Sequence, residues 1–213
     1  MYVQKFSALD TNNQNDIYVI KPGATNVLFI GGCRSMVYSI FFEELCKHNS
    51  YLKNAQYGIA VIGVHVLQVC NIKKTKRLTH VIENADIIVC EQIRNYDMLN
   101  TSKKCEQNLF NNFSVKPNCQ MINVPNLECD YNTVSSKMQN ISRLVNHCKK
   151  YNFEKLANYI NANSNNMHLL LIHYNHPSNV LFCQLMKELI ETNFEVIIDY
   201  HLMSVMQRIK IFD

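Results

Sequence analysis

The 213-residue chain has no tryptophan, only five glycines and four prolines, and no two of its nine cysteines are spaced C-x-x-C. The closest two, Cys119 and Cys129, stand ten residues apart. That spacing speaks against zinc ribbons and thioredoxin-like sites. It points to reduced thiols in a cytosol, most of them buried as small hydrophobes. No apolar run reaches membrane-spanning length, and the N-terminus lacks a basic region followed by an apolar core. Neither a membrane partner nor a signal peptide is expected, and a cytoplasmic location is. The Walker pattern G-x-x-x-x-G-K-[ST] occurs nowhere, and of G-x-G-x-x-G only the first glycine is in register. The formal net charge is only +4. The one basic cluster, "KKTKR" at residues 73–77, has no aromatic interleaving and reads as a solvated helix start. No nucleic-acid partner is expected.

What is present describes a globular protein: 47% hydrophobic and 18% charged residues, enough for one substantial core. Asparagine is frequent ("TNNQN", "LFNNF", "NANSNN") beside many Ile and Lys, the mark of an AT-rich coding bias. Residues 1–25 read as a polar lead-in closed by the turn signal "KPGAT". Residues 26–213 read as a single α/β domain. The ending "QRIKIFD" is abrupt enough to expect a further domain of the same polypeptide beyond Asp213.

"NVLFIGG" is a continuous apolar run with the character of a buried parallel strand. From Ser35, which can cap, Met36, Ile40, Phe41 and Leu45 follow a helical period. Further strands are expected in "YGIAVIGVHVLQVC", "DIIVCEQI" and "CQMINVPN", with a short helix in "KRLTHVIENA". Residues 133–163 read as one long helix or two, another helix follows Pro177, and "FEVIID" is placed to close the sheet. This alternation implies a mostly parallel sheet covered on both faces, a three-layer sandwich with a helical C-terminal part. Ligands of such sheets bind outside the carboxyl ends of the strands. That rule sets Cys33, Glu91, Gln92 and the Pro125–Asn126 pair along one edge.

Cys33 sits where the first buried strand hands over to a helix. Three readings compete: a packing residue, part of a phosphate loop, or a nucleophile. A thiol in the first helical turn feels the positive end of the helix dipole, and Arg34 adds to it; both favour the thiolate. The paired glycines allow a tight turn whose backbone N–H groups face an oxyanion. A nucleophile needs a base, and His176 in "HYNHPSN" is held by Pro177 just before a helix. His173 makes a metal pair with His176 conceivable, but no third ligand has a sensible spacing, so no metal is expected. Gln92 and Asn126, just past strands, are candidates to hold a carbonyl oxygen or a sugar hydroxyl, and equally candidate loop caps.

With these residues in hand, the chain resembles the WcbI-type polysaccharide-biosynthesis acetyltransferases, whose fold is related to the SGNH hydrolases. The family's Gly-Asn-Cys-Gln signature after the first strand is matched by Gly32-Cys33-Arg34, with Gly31 before it. A strand ending in glutamine is matched at Gln92, a Pro-Asn pair at Pro125–Asn126, and a His-Pro pair at His176–Pro177. The four matches fall in order between residues 26 and 193. Gly and Arg stand where Asn and Gln are usual, and His173 stands where SGNH enzymes commonly carry an acid. A Cys–His dyad is therefore what carries over.

The resemblance implies acetyl transfer from acetyl-CoA to a sugar or nucleotide-sugar acceptor, with CoA as the only cofactor. The AT-rich bias brings to mind giant DNA viruses, some of which make N-acetylated amino-dideoxy sugars such as viosamine; the location would then be host cytoplasm. Cys33 and His176 are the implied nucleophile and base, and the turn amides with Gln92 or Asn126 the oxyanion donors. Gly32, Arg34, Ser35 and Arg94 are the expected CoA contacts. A ping-pong route through acetyl-Cys33 and a ternary-complex route using only His176 both stay open. Two alternatives accompany this reading: an SGNH-like esterase or thioesterase, and a non-catalytic sugar- or nucleotide-binding module.

Overall fold

The computed structural model describes residues 16–21, 23–31, 33–63, 76–92, 113–127, 134–166, 169–173 and 176–209. The described residues divide into two compact units, those up to Asn123 in the first and those from Val124 in the second.

The first unit is built on strands β1 (Asp16–Lys21), β2 (Thr25–Gly31), β3 (Tyr57–Gly63) and β4 (Ile87–Gln92), with the start of β5 (Gln120–Pro125). Their order across the sheet is β1-β3-β2-β4-β5. β2 is parallel to both neighbours, with Ile30 opposite Ile62 on one side and Cys90 on the other. β5 starts where β4 starts, the Gln120 N–H donating to the Asp86 carbonyl at 2.9 Å, so it too runs parallel. β1 is the exception. It pairs antiparallel with β3, Asp16 opposite Gly63, and lies inside the stretch expected to be a polar lead-in.

β2 reads as an unbroken apolar run because it is buried on both faces. Val27 and Phe29 face helix α1 (Cys33–His48), where the Phe29 and Phe42 rings lie 5.6 Å apart and Phe42 meets Tyr57 at 5.4 Å. Leu28 and Ile30 face the other way. They form a core with Ile62, Ile88 and the Leu78 and Ile82 side chains of α3 (Lys76–Glu83). Helices thus cover both faces of the sheet, giving the first unit three layers. A five-residue helix, α2 (Ser50–Asn54), is capped by Asn49, whose side chain accepts from the Leu52 N–H, and leads into β3.

The second unit is mainly helical. The expected long helix is two, α4 (Val134–Lys150) and α5 (Glu154–Ala162), broken at Asn152, which takes the left-handed φ of 64°. β6 (Leu171–His173) and β7 (His176–Pro177) form a small antiparallel pair, followed by α6 (Asn179–Asn193) and α7 (Tyr200–Gln207). The segment "FEVIID" closes no sheet. Phe194, Val196 and Ile198 are buried and Glu195, Ile197 and Asp199 exposed, a strand's alternation, but residues 194–199 belong to no strand. The Ile198 N–H donates instead to the Glu191 side chain at 3.3 Å. Among the described residues no helix is long and apolar enough to cross a membrane.

Candidate functional site

The candidate site lies at the carboxyl edge of the parallel strands. β2 ends at Gly31 and α1 begins at Cys33, so the thiol-bearing residue is the first of a 16-residue helix. Ser35 is not its cap: it lies inside the first turn, 1% exposed, and its hydroxyl donates to the Ile62 carbonyl at 3.4 Å. That bond ties the start of α1 to the end of β3.

Arg34 does not face solvent. Its Nε donates to Glu91 Oε1 at 2.5 Å, with side chains 8% and 0% exposed. Glu91 reaches this place because side chains alternate along β4, which puts it on the same face as Gly31 and α1. A Cβ on Gly31 would fall 2.5 Å from Glu91 Cβ and 2.7 Å from its Oε2. The glycine expected to relax a turn is there to admit a carboxylate. Arg34, expected to meet a CoA phosphate, has its charge met inside the protein.

Gln92, the next residue, points to the opposite face by the same alternation. It is the last residue of β4, 4% exposed, and its Nε2 donates to Asn123 Oδ1 at 2.8 Å. The structure therefore brings the backbone of Cys33 and the side chain of Gln92 to one edge of the first unit.

Asn126 and His176 belong to the second unit. Asn126 follows β5 and is fully buried. His176 pairs with His173 across the β6–β7 ladder. The residues after it are pinned: the Ser178 N–H donates to the Leu170 carbonyl at 2.8 Å, and the hydroxyl donates to Leu169 and accepts from the Leu181 N–H at 3.1 Å, capping α6. Gly32 and Arg94 lie outside the described residues, as do residues 73–75 of the basic run and the side chains of Cys33 and His176.

Two other thiols, Cys46 and Cys183, lie in the protein interior. Burial pushes Cys46 and Cys183 up to about 12, so both stay protonated and inert at neutral pH. A pocket of about 160 Å³ opens at the other, amino-terminal edge of the sheet, lined in part by Lys21, Asn26, His80 and Asn84. Two of its polar groups serve structure: Asn84 Nδ2 donates to the His80 carbonyl at 2.8 Å and Asn26 Nδ2 to the Asn84 carbonyl at 3.5 Å. It lacks the helix start that marks the carboxyl edge.

Glu91 is the member of the site that sequence reasoning placed on the edge but gave no role. Its signal was an acid inside a buried strand, two residues after Val89 in "IIVCEQ", where an ionised side chain needs a partner. Comparison with family models, curated proteins and solved structures finds no match.

Proposed function

We propose that the chain is an acetyl-CoA-dependent acetyltransferase acting on a sugar, of SGNH-like type. The acceptor in this reading is an amino sugar, free or nucleotide-linked, such as viosamine. The observation that carries the reading is the position of Cys33: first residue of α1, at the carboxyl end of the central strand of a mostly parallel sheet. A thiol there is favoured as thiolate by the helix dipole, unlike the buried Cys46 and Cys183.

The Cys33 thiolate attacks the thioester carbonyl, the C–S bond to CoA breaks, and CoA leaves as a thiolate that takes a proton from solvent. The acceptor amine or hydroxyl then attacks acetyl-Cys33, the C–S bond to Cys33 breaks, the acceptor's proton passes to a base and on to solvent, and the Cys33 thiolate is regenerated. His176 is that base on the resemblance alone. Gln92, held by Asn123 at the end of the strand next to β2, is the oxyanion donor of this reading.

Release of CoA thiol from acetyl-CoA, followed with a panel of nucleotide-linked amino sugars, tests the reading. Acceptor-dependent release is expected, lowered about 10²–10⁴-fold in His176→Ala and abolished in Cys33→Ala. Release that is equally fast without acceptor would assign an esterase or thioesterase instead.

A further inference from the structure

The turn from a parallel strand into a helix is where many α/β folds seat a phosphate. Glycines let the backbone come close, and the helix N-terminus attracts the anion. In this chain an anion already faces that turn, and it belongs to the protein. Glu91 reaches across from β4: Oε1 takes the Arg34 Nε–H at 2.5 Å, and Oε2 fills the space over Gly31, 2.7 Å from where a Cβ would stand. Its side chain is wholly buried. The arginine, a positive feature that would recruit a phosphate, is held by this carboxylate.

We infer that Glu91 is a specificity-determining residue that closes the β2–α1 turn to phosphate. The group a ligand presents at Cys33 is then uncharged, and the phosphates of a CoA-type donor are bound away from the turn. This deepens the acetyl-transfer reading and rests on it for the identity of the ligand: the thioester end enters the turn and the nucleotide end does not. It also accounts for Gly31. A side chain at that position would collide with Glu91, so the glycine serves the carboxylate and not an incoming phosphate. Paired with Glu91, Arg34 offers an incoming phosphate no net positive charge, whereas Glu91→Gln leaves that charge unmatched.

The test is a titration of the ¹⁵N-labelled full chain, following the backbone amide resonances of Gly31, Arg34 and Ser35. Inorganic pyrophosphate is one probe. S-acetylpantetheine, the donor arm without phosphates, is the other. In the wild-type chain millimolar pyrophosphate leaves these resonances unmoved, whereas S-acetylpantetheine shifts them. In Glu91→Gln, which keeps an acceptor for Arg34 but removes the charge, pyrophosphate shifts them with saturation. Shifts by pyrophosphate in the wild-type chain overturn the inference. So does a Glu91→Gln chain that folds and still ignores pyrophosphate. If Glu91→Gln does not fold, the wild-type titration decides: unmoved by pyrophosphate and moved by S-acetylpantetheine supports the inference, and the reverse overturns it. A wild-type chain blind to S-acetylpantetheine, with pyrophosphate binding gained in Glu91→Gln, upholds the exclusion and removes the acetyl-transfer reading.

Discussion

Gly31 and Glu91 are neighbours across β2 and β4, so close that a Cβ on Gly31 would stand 2.5 Å from Glu91 Cβ. Gly31→Ala must therefore push Glu91 aside and loosen its bond to Arg34. A loss of about 1–3 kcal/mol is expected from overpacking, measured by urea unfolding. The variant paired with Glu91→Ala leaves Arg34 buried without its charge partner, and is expected to be worse than Gly31→Ala alone. A Gly31→Ala chain as stable as wild type would mean that the close approach is not the reason for the glycine.

At the amino edge of the same strands, Asp86 clamps two elements. It accepts from the Asn26 N–H at 2.8 Å and from Lys116 Nζ at 2.6 Å, and these bonds hold its carboxyl below the ordinary value, the backbone bond first. A depressed folded value means stability that is present above the unfolded carboxylate value, about 4, and is lost as pH falls through the folded one. Asp86→Asn is expected to unfold more easily than wild type at pH 7. The gap should narrow steadily below about pH 4. A gap that is constant from pH 7 to pH 2.5 would deny the carboxylate this role.

In the second unit the start of α5 has no cap of its own: Phe153 precedes it with no side-chain hydrogen bond. Glu188, on α6 and 5% exposed, supplies one by accepting from the Lys155 and Leu156 N–H groups at 2.9 and 2.8 Å. Glu188→Ala strands two amides and is expected to cost about 1–3 kcal/mol, with Glu188→Gln between it and wild type. Equal stability of the alanine variant in a denaturant titration would contradict the capping role.

Much of the first unit was legible because its elements are buried on both sides or on a clear stripe. "VLFI" is apolar throughout since α1 and α3 cover its two faces, and of the apolar positions that marked the helix from Ser35, Ile40, Phe41 and Leu45 are buried and Met36 half-buried. β1 was missed because an antiparallel edge strand needs no apolar run, and "DIYVIK" sits in polar surroundings. "FEVIID" misled for the opposite reason. Its alternation reports one buried face and says nothing of a hydrogen-bonded neighbour, and here Glu191 takes the Ile198 amide. At the site, spacing could place Cys33 after a strand and Gln92 at the end of the next. It could not show that Arg34 turns inward, because that depends on Glu91, 57 residues away. The cap assigned to Ser35 failed for the same reason, its hydroxyl being taken by Ile62 of β3.

The central claim is that Cys33 accepts an acetyl group. Intact-protein and peptide mass spectrometry after incubation with acetyl-CoA, without acceptor, tests it most directly. The account predicts one added acetyl group on the Cys33 peptide, absent in Cys33→Ala. Cys46 and Cys183 should stay unmodified, since burial holds both thiols protonated with values of about 12. A chain that gains no acetyl group at Cys33, or gains it equally in Cys33→Ala, would contradict the account.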